Sequence, residues 1–371
     1  MTVLVTGATG CVGAATVLEL LRSTAQDVVC LVRGHDDAEA HARLRRTLAE
    51  AARAYGCEEL AEPVRARCRG IRGDVTEPLC GVGALDPGIT ELWHLAGSLY
   101  YLDRHRAEID AVNITGTGNA IALARKSGIG VLNHASTVAT AGTRTGLLYE
   151  EPVDPDTPMN NAYERSKVAA ERLAAHSGID VVRILRLPAV VGHSETHRLT
   201  ASTFSGVYTL TNELVRFRDA VEDRLGAYLE HYGVQVIADP EVRNAVLPVD
   251  RVARAIVLLS LAGAASGIYT VANLGSANVR ALMSGVADAI GIAEPRYVDD
   301  PALLTSIDRQ FTDELRFHAP YLRQDKLYDC SNLLRHVDRD VVTVAISRAD
   351  FAAYARSYLA ASAPSQLAAT E

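Results

Sequence analysis

The chain has no long basic run, and its net charge is -8 over 371 residues. Nucleic acid is therefore not an expected partner. It has no apolar run long enough to cross a bilayer: the longest, AIVLLSLAGAA (255–265), is too short and follows Arg254. No positively charged leader with a cleavage site precedes Val3, so the expected location is cytoplasmic. The six cysteines, Cys11, Cys30, Cys57, Cys68, Cys80 and Cys330, form no CxxC pair, and no histidine-rich metal spacing accompanies them. A reduced protein without a structural metal is expected. Internal repeats and low-complexity segments are absent too. What remains is an ordinary globular composition, 48% hydrophobic and 22% charged, long enough for one large domain or two.

The first residues, MTVLVTGATGCVGAATVLELL, place Gly7, Gly10 and Gly13 three apart. They stand between a short apolar strand (Val3, Leu4, Val5) and a helical pattern (Ala14, Val17, Leu18, Leu21). Such a turn lets backbone N–H groups approach a pyrophosphate, and the helix N-terminus adds partial positive charge. A tight turn with no ligand is the plainer alternative. Further strands are expected at 27–32, 69–75, 89–97, 130–140 and 179–192. Helices are expected at 36–56 and 108–128, the second closed by Gly128. This alternation implies an α/β fold with a Rossmann-like, doubly wound parallel sheet. After Gly192 the alternation breaks, with a mainly helical stretch at 199–232. A helix at 252–263 and a strand at 267–273 return to the sheet. Residues 1–192 with about 247–275 are expected to bind the cofactor. Residues 193–246 and 276–362 would form a smaller, mainly helical substrate subdomain, and 363–371 a flexible tail.

AYERSKVAAERL (162–173) puts Tyr163 and Lys167 four apart, on one face of a helix. A nearby ammonium is expected to lower the phenol pKa, giving a pair able to move a proton as hydride arrives or departs. A surface Tyr/Lys pair is the bland alternative. ASTVATAG (135–142) supplies hydroxyls at the C-terminal end of a parallel strand, where open α/β sheets bind ligands.

Seven segments, TGATGCVG, GDV, HLAG, NITGT, HASTV, YERSK and RLPAVVG, follow in the order of the extended short-chain dehydrogenase/reductase family, which the chain resembles. The resemblance implies Thr137 as catalytic hydroxyl, Tyr163 as acid/base and Lys167 as ribose ligand and pKa modulator. It implies a cofactor cradle of Gly7, Thr9, Gly10, Cys11, Val12 and Gly13. Asp74 and Val75 would border the adenine, Leu95, Ala96 and Gly97 the length of the cofactor, and Pro188 and Val190 the nicotinamide. Asn113 matches a helix asparagine of the family. Leu187-Pro188-Ala189 replaces the usual Pro-Gly step, and Gly97 stands where alanine is common. CLVRGHDDAEAHARLRRTL and the loop VVGHSETHRLTASTFSGVY look like the acyl-thioester reductase and fatty acyl reductase branch.

Arg33, at the end of the second strand, suits a 2′-phosphate better than two ribose hydroxyls, and Arg43 could be a second clamp. NADPH is therefore expected over NAD. Ser98, His193, Phe204 and Tyr208 are candidate substrate contacts. Phe204, Val207, Tyr208 and Leu210 would either line an apolar channel or only pack the small domain, and Arg216 and Arg218 are candidates to meet an acidic carrier or phosphopantetheine. His193 and His197 lack a third ligand and are read as loop or substrate contacts, not a metal site. The implied activity is NADPH-dependent reduction of an acyl thioester to an aldehyde or alcohol. The substrate would come from an acyl carrier protein or coenzyme A in trans. The alternatives are a ketone or alcohol oxidoreductase, a sugar-nucleotide epimerase, or a non-catalytic NADP-binding regulator.

Overall fold

Val3 and Val5 enter one apolar cluster and Leu4 another, so this short strand helps build a core on each face of the sheet. The computed structural model describes residues 1–200, 206–275 and 277–367. Its main sheet has strands β1 (Thr2–Thr6), β2 (Asp27–Val32), β3 (Cys68–Arg72), β4 (Ile89–His94), β5 (Val131–Thr137), β6 (Val181–Leu187) and β7 (Gly267–Thr270). Their spatial order is β3-β2-β1-β4-β5-β6-β7, and every pairing is parallel. The order reverses between β1 and β4, which opens a crevice at their C-terminal ends.

On one face lie α1 (Cys11–Ser23), α2 (Asp37–Tyr55) and α8 (Val249–Leu261), burying Val17, Leu44, Val252 and Ile256. On the other lie α5 (Gly116–Lys126) and α6 (Ala162–Ala175), with Ile121, Leu123 and Ala174 against Leu92 and Leu132. A further core joins α7 (Gly206–Leu225), α9 (Val279–Ile290) and α10 (Arg348–Leu367) through Leu214, Phe217, Met283 and Phe351. The ends of α2 follow local chemistry. Asp36 accepts the Glu39 N–H at 2.8 Å, and Gly56 ends the helix at φ +66°. Between α2 and β3 stands α3 (Ala61–Arg67).

Three elements differ from their expected form. The helix expected at 108–128 is α4 (Arg106–Asp110), a π turn (Ala111–Thr115) and α5. The strand expected at 179–192 breaks at Pro188, which has no N–H to donate to the main sheet. Ala189–Val191 pairs instead with Val246–Pro248. At the other end, α10 carries the chain in helix as far as Leu367. Residues 368–371 lie outside the description, as does Phe204. Two short strands also interrupt the expected helices and loops of 280–362: Arg296–Tyr297 pairs with Gln235–Val236, and Lys326–Tyr328 with Gly146–Leu148.

Candidate active site

At the glycine turn, Gly7 has φ +75°, and an added Cβ would lie 2.6 Å from backbone atoms of Leu95 and Ala96. A Cβ on Gly13 would sit 2.0 Å from the Gly7 carbonyl. These two glycines let α1 and the β4 end close onto the turn. Gly10 is different, because its Cβ would meet only the Gly7 carbonyl, at 3.3 Å. Gly10 is the N-cap of α1 and has no side chain with which to cap the helix. The first N–H groups beside Thr9, Cys11 and Val12 are thus left for an anion, and the turn fits a dinucleotide pyrophosphate. Burial pushes the Cys11 thiol up to about 12, so it stays protonated and serves as a small side chain.

At the end of β2, Arg33 is exposed, and Arg43 donates to its carbonyl at 3.1 Å. The two arginines therefore stand at one edge of the crevice. Asp74 accepts from the Thr76 N–H and hydroxyl at 2.9 and 2.8 Å, fixing the turn after β3. Val75 rests on α5, where an added Cβ on Gly116 would come within 3.0 Å of it.

Asn113 sits in the π turn and is buried. Its side chain accepts the Ser98 N–H at 2.7 Å and donates to the Ser98 carbonyl at 3.1 Å and to Ser166 at 2.9 Å. It ties the loop after β4 to α6. At exposed Gly97, an added Cβ would be 3.4 Å from the Asn113 oxygen and 3.7 Å from Lys167 Nζ. The loop Leu95–Gly97, Asn113 and Lys167 thus meet at one point of the crevice. Pro188 and Val190 stand at the break after β6, and Val190 is paired with Leu247.

Thr137 ends β5 and accepts the Ala139 N–H at 3.1 Å. Tyr163 lies on the first turn of α6, which Asn161 caps by accepting the Glu164 N–H at 3.0 Å. One turn further, buried Lys167 donates to the Ala135 carbonyl at 2.7 Å. Burial pulls Lys167 down to about 8, against the opposing charge of Glu171. The expected lowering of the phenol pKa by Lys167 is not what the structure shows. Burial raises Tyr163 to about 12; the nearby Thr137 hydroxyl pulls it down, and the Glu164 charge pushes it up again. The phenol is held as a neutral hydrogen-bond donor.

The proposed substrate channel along α7 needs correction. Tyr208 has 0% exposure, and its hydroxyl accepts the Gly192 N–H at 2.9 Å. Val207 and Leu210 are buried in the same core. An amphipathic helix buries one face, and these residues are on it. Arg216 and Arg218, both expected to meet a carrier, differ in their surroundings. Arg218 is committed to Asp219 at 2.6 Å and the Ile290 carbonyl at 2.9 Å, whereas Arg216 is exposed and close enough to Tyr101 to favour its ionised form. His193 stacks on Tyr55 at 5.5 Å, and His197 meets Asp350 at 3.4 Å. Among the described residues, no group of three or more His, Cys, Asp or Glu side chains could hold a metal ion.

Sequence reasoning missed an aromatic row on the loop side. Tyr101 and Phe317 stack at 3.6 Å, Phe317 is 5.8 Å from Tyr321, and all three are partly exposed. Behind it, His318 meets buried Glu213 of α7 at 2.9 Å. Glu164, directly after Tyr163, was also passed over, although YERSK places a carboxylate beside the phenol.

A family model described as Male sterility protein matches residues 5–256. The isonitrile lipopeptide synthase of Streptomyces coeruleorubidus is 34% identical over 207 residues, covering 52% of this chain and 13% of that protein. The chain thus spans a small part of that relative's length. The terminal R domain from the myxalamid PKS-NRPS biosynthetic pathway superposes with a TM-score of 0.73 at 24% identity, covering 97% of this chain and 91% of that one. The reductase (R) domain of a nonribosomal peptide synthetase from Mycobacterium tuberculosis gives 0.67 at 19% identity, covering 96% and 91%. These two structural likenesses carry the fold.

Proposed function

The chain belongs to the male sterility protein family, and we propose that it is an extended short-chain dehydrogenase/reductase of thioester-reductase type that reduces an acyl thioester with NADPH. The observation that supports this reading is Thr137 beside Tyr163, with Lys167 one turn along the same helix and close to Gly97. The glycine turn would hold the pyrophosphate, with Asp74, Val75 and Leu95–Gly97 along the rest of the dinucleotide and Lys167 on its ribose. Arg33 and Arg43 would bind a 2′-phosphate through charge-assisted contacts. Bound there, the reduced cofactor would supply hydride to the thioester carbonyl carbon.

The residues of this chain then act on the carbonyl oxygen. Tyr163 donates a hydrogen bond to it and Thr137 a second as negative charge develops. A neutral phenol is the right form for that task, which fits the direction of its pKa. The carbon–sulfur bond breaks as the carbonyl re-forms, and the sulfur leaves as a thiolate that needs no proton to depart. An aldehyde remains; a second reduction to the alcohol would take its proton from Tyr163. The partly exposed row Tyr101–Phe317 would meet the acyl group, and Arg216 an acidic carrier. On this reading residues 1–192 and about 247–275 bind cofactor, and 193–246 with 276–362 bind substrate.

The test is direct. The protein is incubated with NADPH or NADH and a panel of acyl-coenzyme A, acyl-carrier and ketone substrates, and products are identified by mass. Aldehyde or alcohol from a thioester with NADPH supports the proposal, whereas turnover of ketones alone overturns it.

A further inference from the structure

We infer that Glu164 is a positioning residue for Tyr163, held in that role by the segment 318–328 of the C-terminal region. The inference rests on Tyr163 being the proton donor proposed above.

Glu164 has 0% exposure, and a buried carboxylate is costly unless its oxygens are bonded. Here they are. Glu164 accepts the Asn160 N–H at 2.7 Å, the Asn160 side-chain amide at 3.1 Å and the Tyr321 hydroxyl at 2.5 Å. The Tyr321 oxygen in turn accepts from Asn161 at 3.3 Å, and Asn161 caps α6. A residue 157 positions away in sequence therefore closes the first turn of the helix that carries Tyr163.

The same segment reaches the other side of the site. Buried Lys326 donates to the Gly142 carbonyl at 2.5 Å, at the end of the turn that begins with Thr137. That turn has no room for adjustment: Gly142 has φ +59°, and an added Cβ would lie 2.4 Å from the Pro158 carbonyl. Tyr321 and Lys326 thus brace the two elements that present the phenol and the threonine hydroxyl. His318 adds the contact with Glu213 on α7.

Charge gives Glu164 a second effect. The titratable groups that feel its charge are Tyr163 on its own helix, Tyr321 on the short helix Ala319–Arg323, and Lys326 and Tyr328 on the strand Lys326–Tyr328. Its carboxylate opposes ionisation of the neighbouring phenol.

Glu164→Gln keeps the shape and one acceptor oxygen but removes the charge. The pH dependence of kcat is measured across the alkaline range for the parent, Glu164→Gln and Tyr321→Phe, with cofactor Kd and circular dichroism as controls. Glu164→Gln should move the basic limb down, since the phenolate is no longer opposed. Tyr321→Phe should lower kcat roughly three- to tenfold with cofactor Kd unchanged, as expected when a supporting hydrogen bond to a charged group is lost. An unmoved limb in folded Glu164→Gln overturns the inference. If that variant does not fold, parental kcat in Tyr321→Phe overturns it instead. Tyr163→Phe runs alongside: if it retains full turnover, the assignment of the donor has failed rather than its positioning.

Discussion

Replacing His134 should make the protein more tolerant of acid. His134 on β5 and His94 on β4 are each 1% exposed and stack at 5.5 Å under Lys167. His94 is bonded on both ring nitrogens, to Thr6 at 2.9 Å and Thr117 at 3.1 Å, whereas neither nitrogen of His134 has a hydrogen-bond partner among the described residues. Burial, and then the Lys167 charge, lowers His94 from 6.5 to about 3 and His134 well below 6.5. The sign follows from the proton count. Between these values the unfolded chain binds protons that the folded chain refuses, so stability is full above pH 6.5 and falls as pH drops towards the folded pKa. Each histidine contributes a slope of about 1.4 kcal/mol per pH unit. Two units below 6.5, His94 alone removes roughly 3 kcal/mol against a typical domain's 5–15 kcal/mol, and His134 acts in the same direction. His134→Leu should make the slope below pH 6.5 shallower. It should leave neutral-pH stability equal or higher, because two unbonded buried nitrogens disappear. Urea unfolding of parent and variant at matched pH values measures both. Identical slopes in the two proteins would refute the reasoning.

Arg33→Ala should weaken NADPH by about 10- to 100-fold while sparing NADH, from the loss of a charge-assisted contact of ~1.5–3 kcal/mol; equal losses in cofactor titrations would remove Arg33 from the 2′-phosphate. Tyr163→Phe should fold and bind cofactor but lose roughly 10²–10³ in kcat. Lys167→Ala should damage cofactor Kd and kcat together, and steady-state kinetics with direct binding separates the two patterns. Reversing the charge of Arg216 should slow carrier-bound substrates more than small free thioesters, and more at low salt. The same change at Arg218 should instead act on stability, through its contacts with Asp219 and Ile290; parallel substrate profiles for the two variants would count against this division.

Local chemistry was the legible part of the fold. Strand and helix periods, the glycine turn and the four-residue spacing of Tyr163 and Lys167 depend on residues close in sequence, and they led to the parallel sheet. The break at Pro188 was readable in principle, since proline has no donor, but the strong apolar run around it masked the change of partner. The rise of the Tyr163 pKa was not readable, because burial causes it and burial is set by the whole chain. The same holds for Tyr208: an aromatic residue on an amphipathic helix can face a cleft or a core, and packing against α9 and α10 decides it. Tyr321 and Lys326 come from a region with no motif of its own. Only tertiary structure brings them to Glu164 and Gly142.

The measurement that bears most directly on the central claim is a single-turnover reaction of the protein with NADPH and an acyl thioester, with acyl products and free thiol quantified by mass. Aldehyde or alcohol should form with one equivalent of thiol released, and Tyr163→Phe should slow that release sharply. Thiol release without NADPH consumption, or NADPH oxidation only with ketones, would contradict the account.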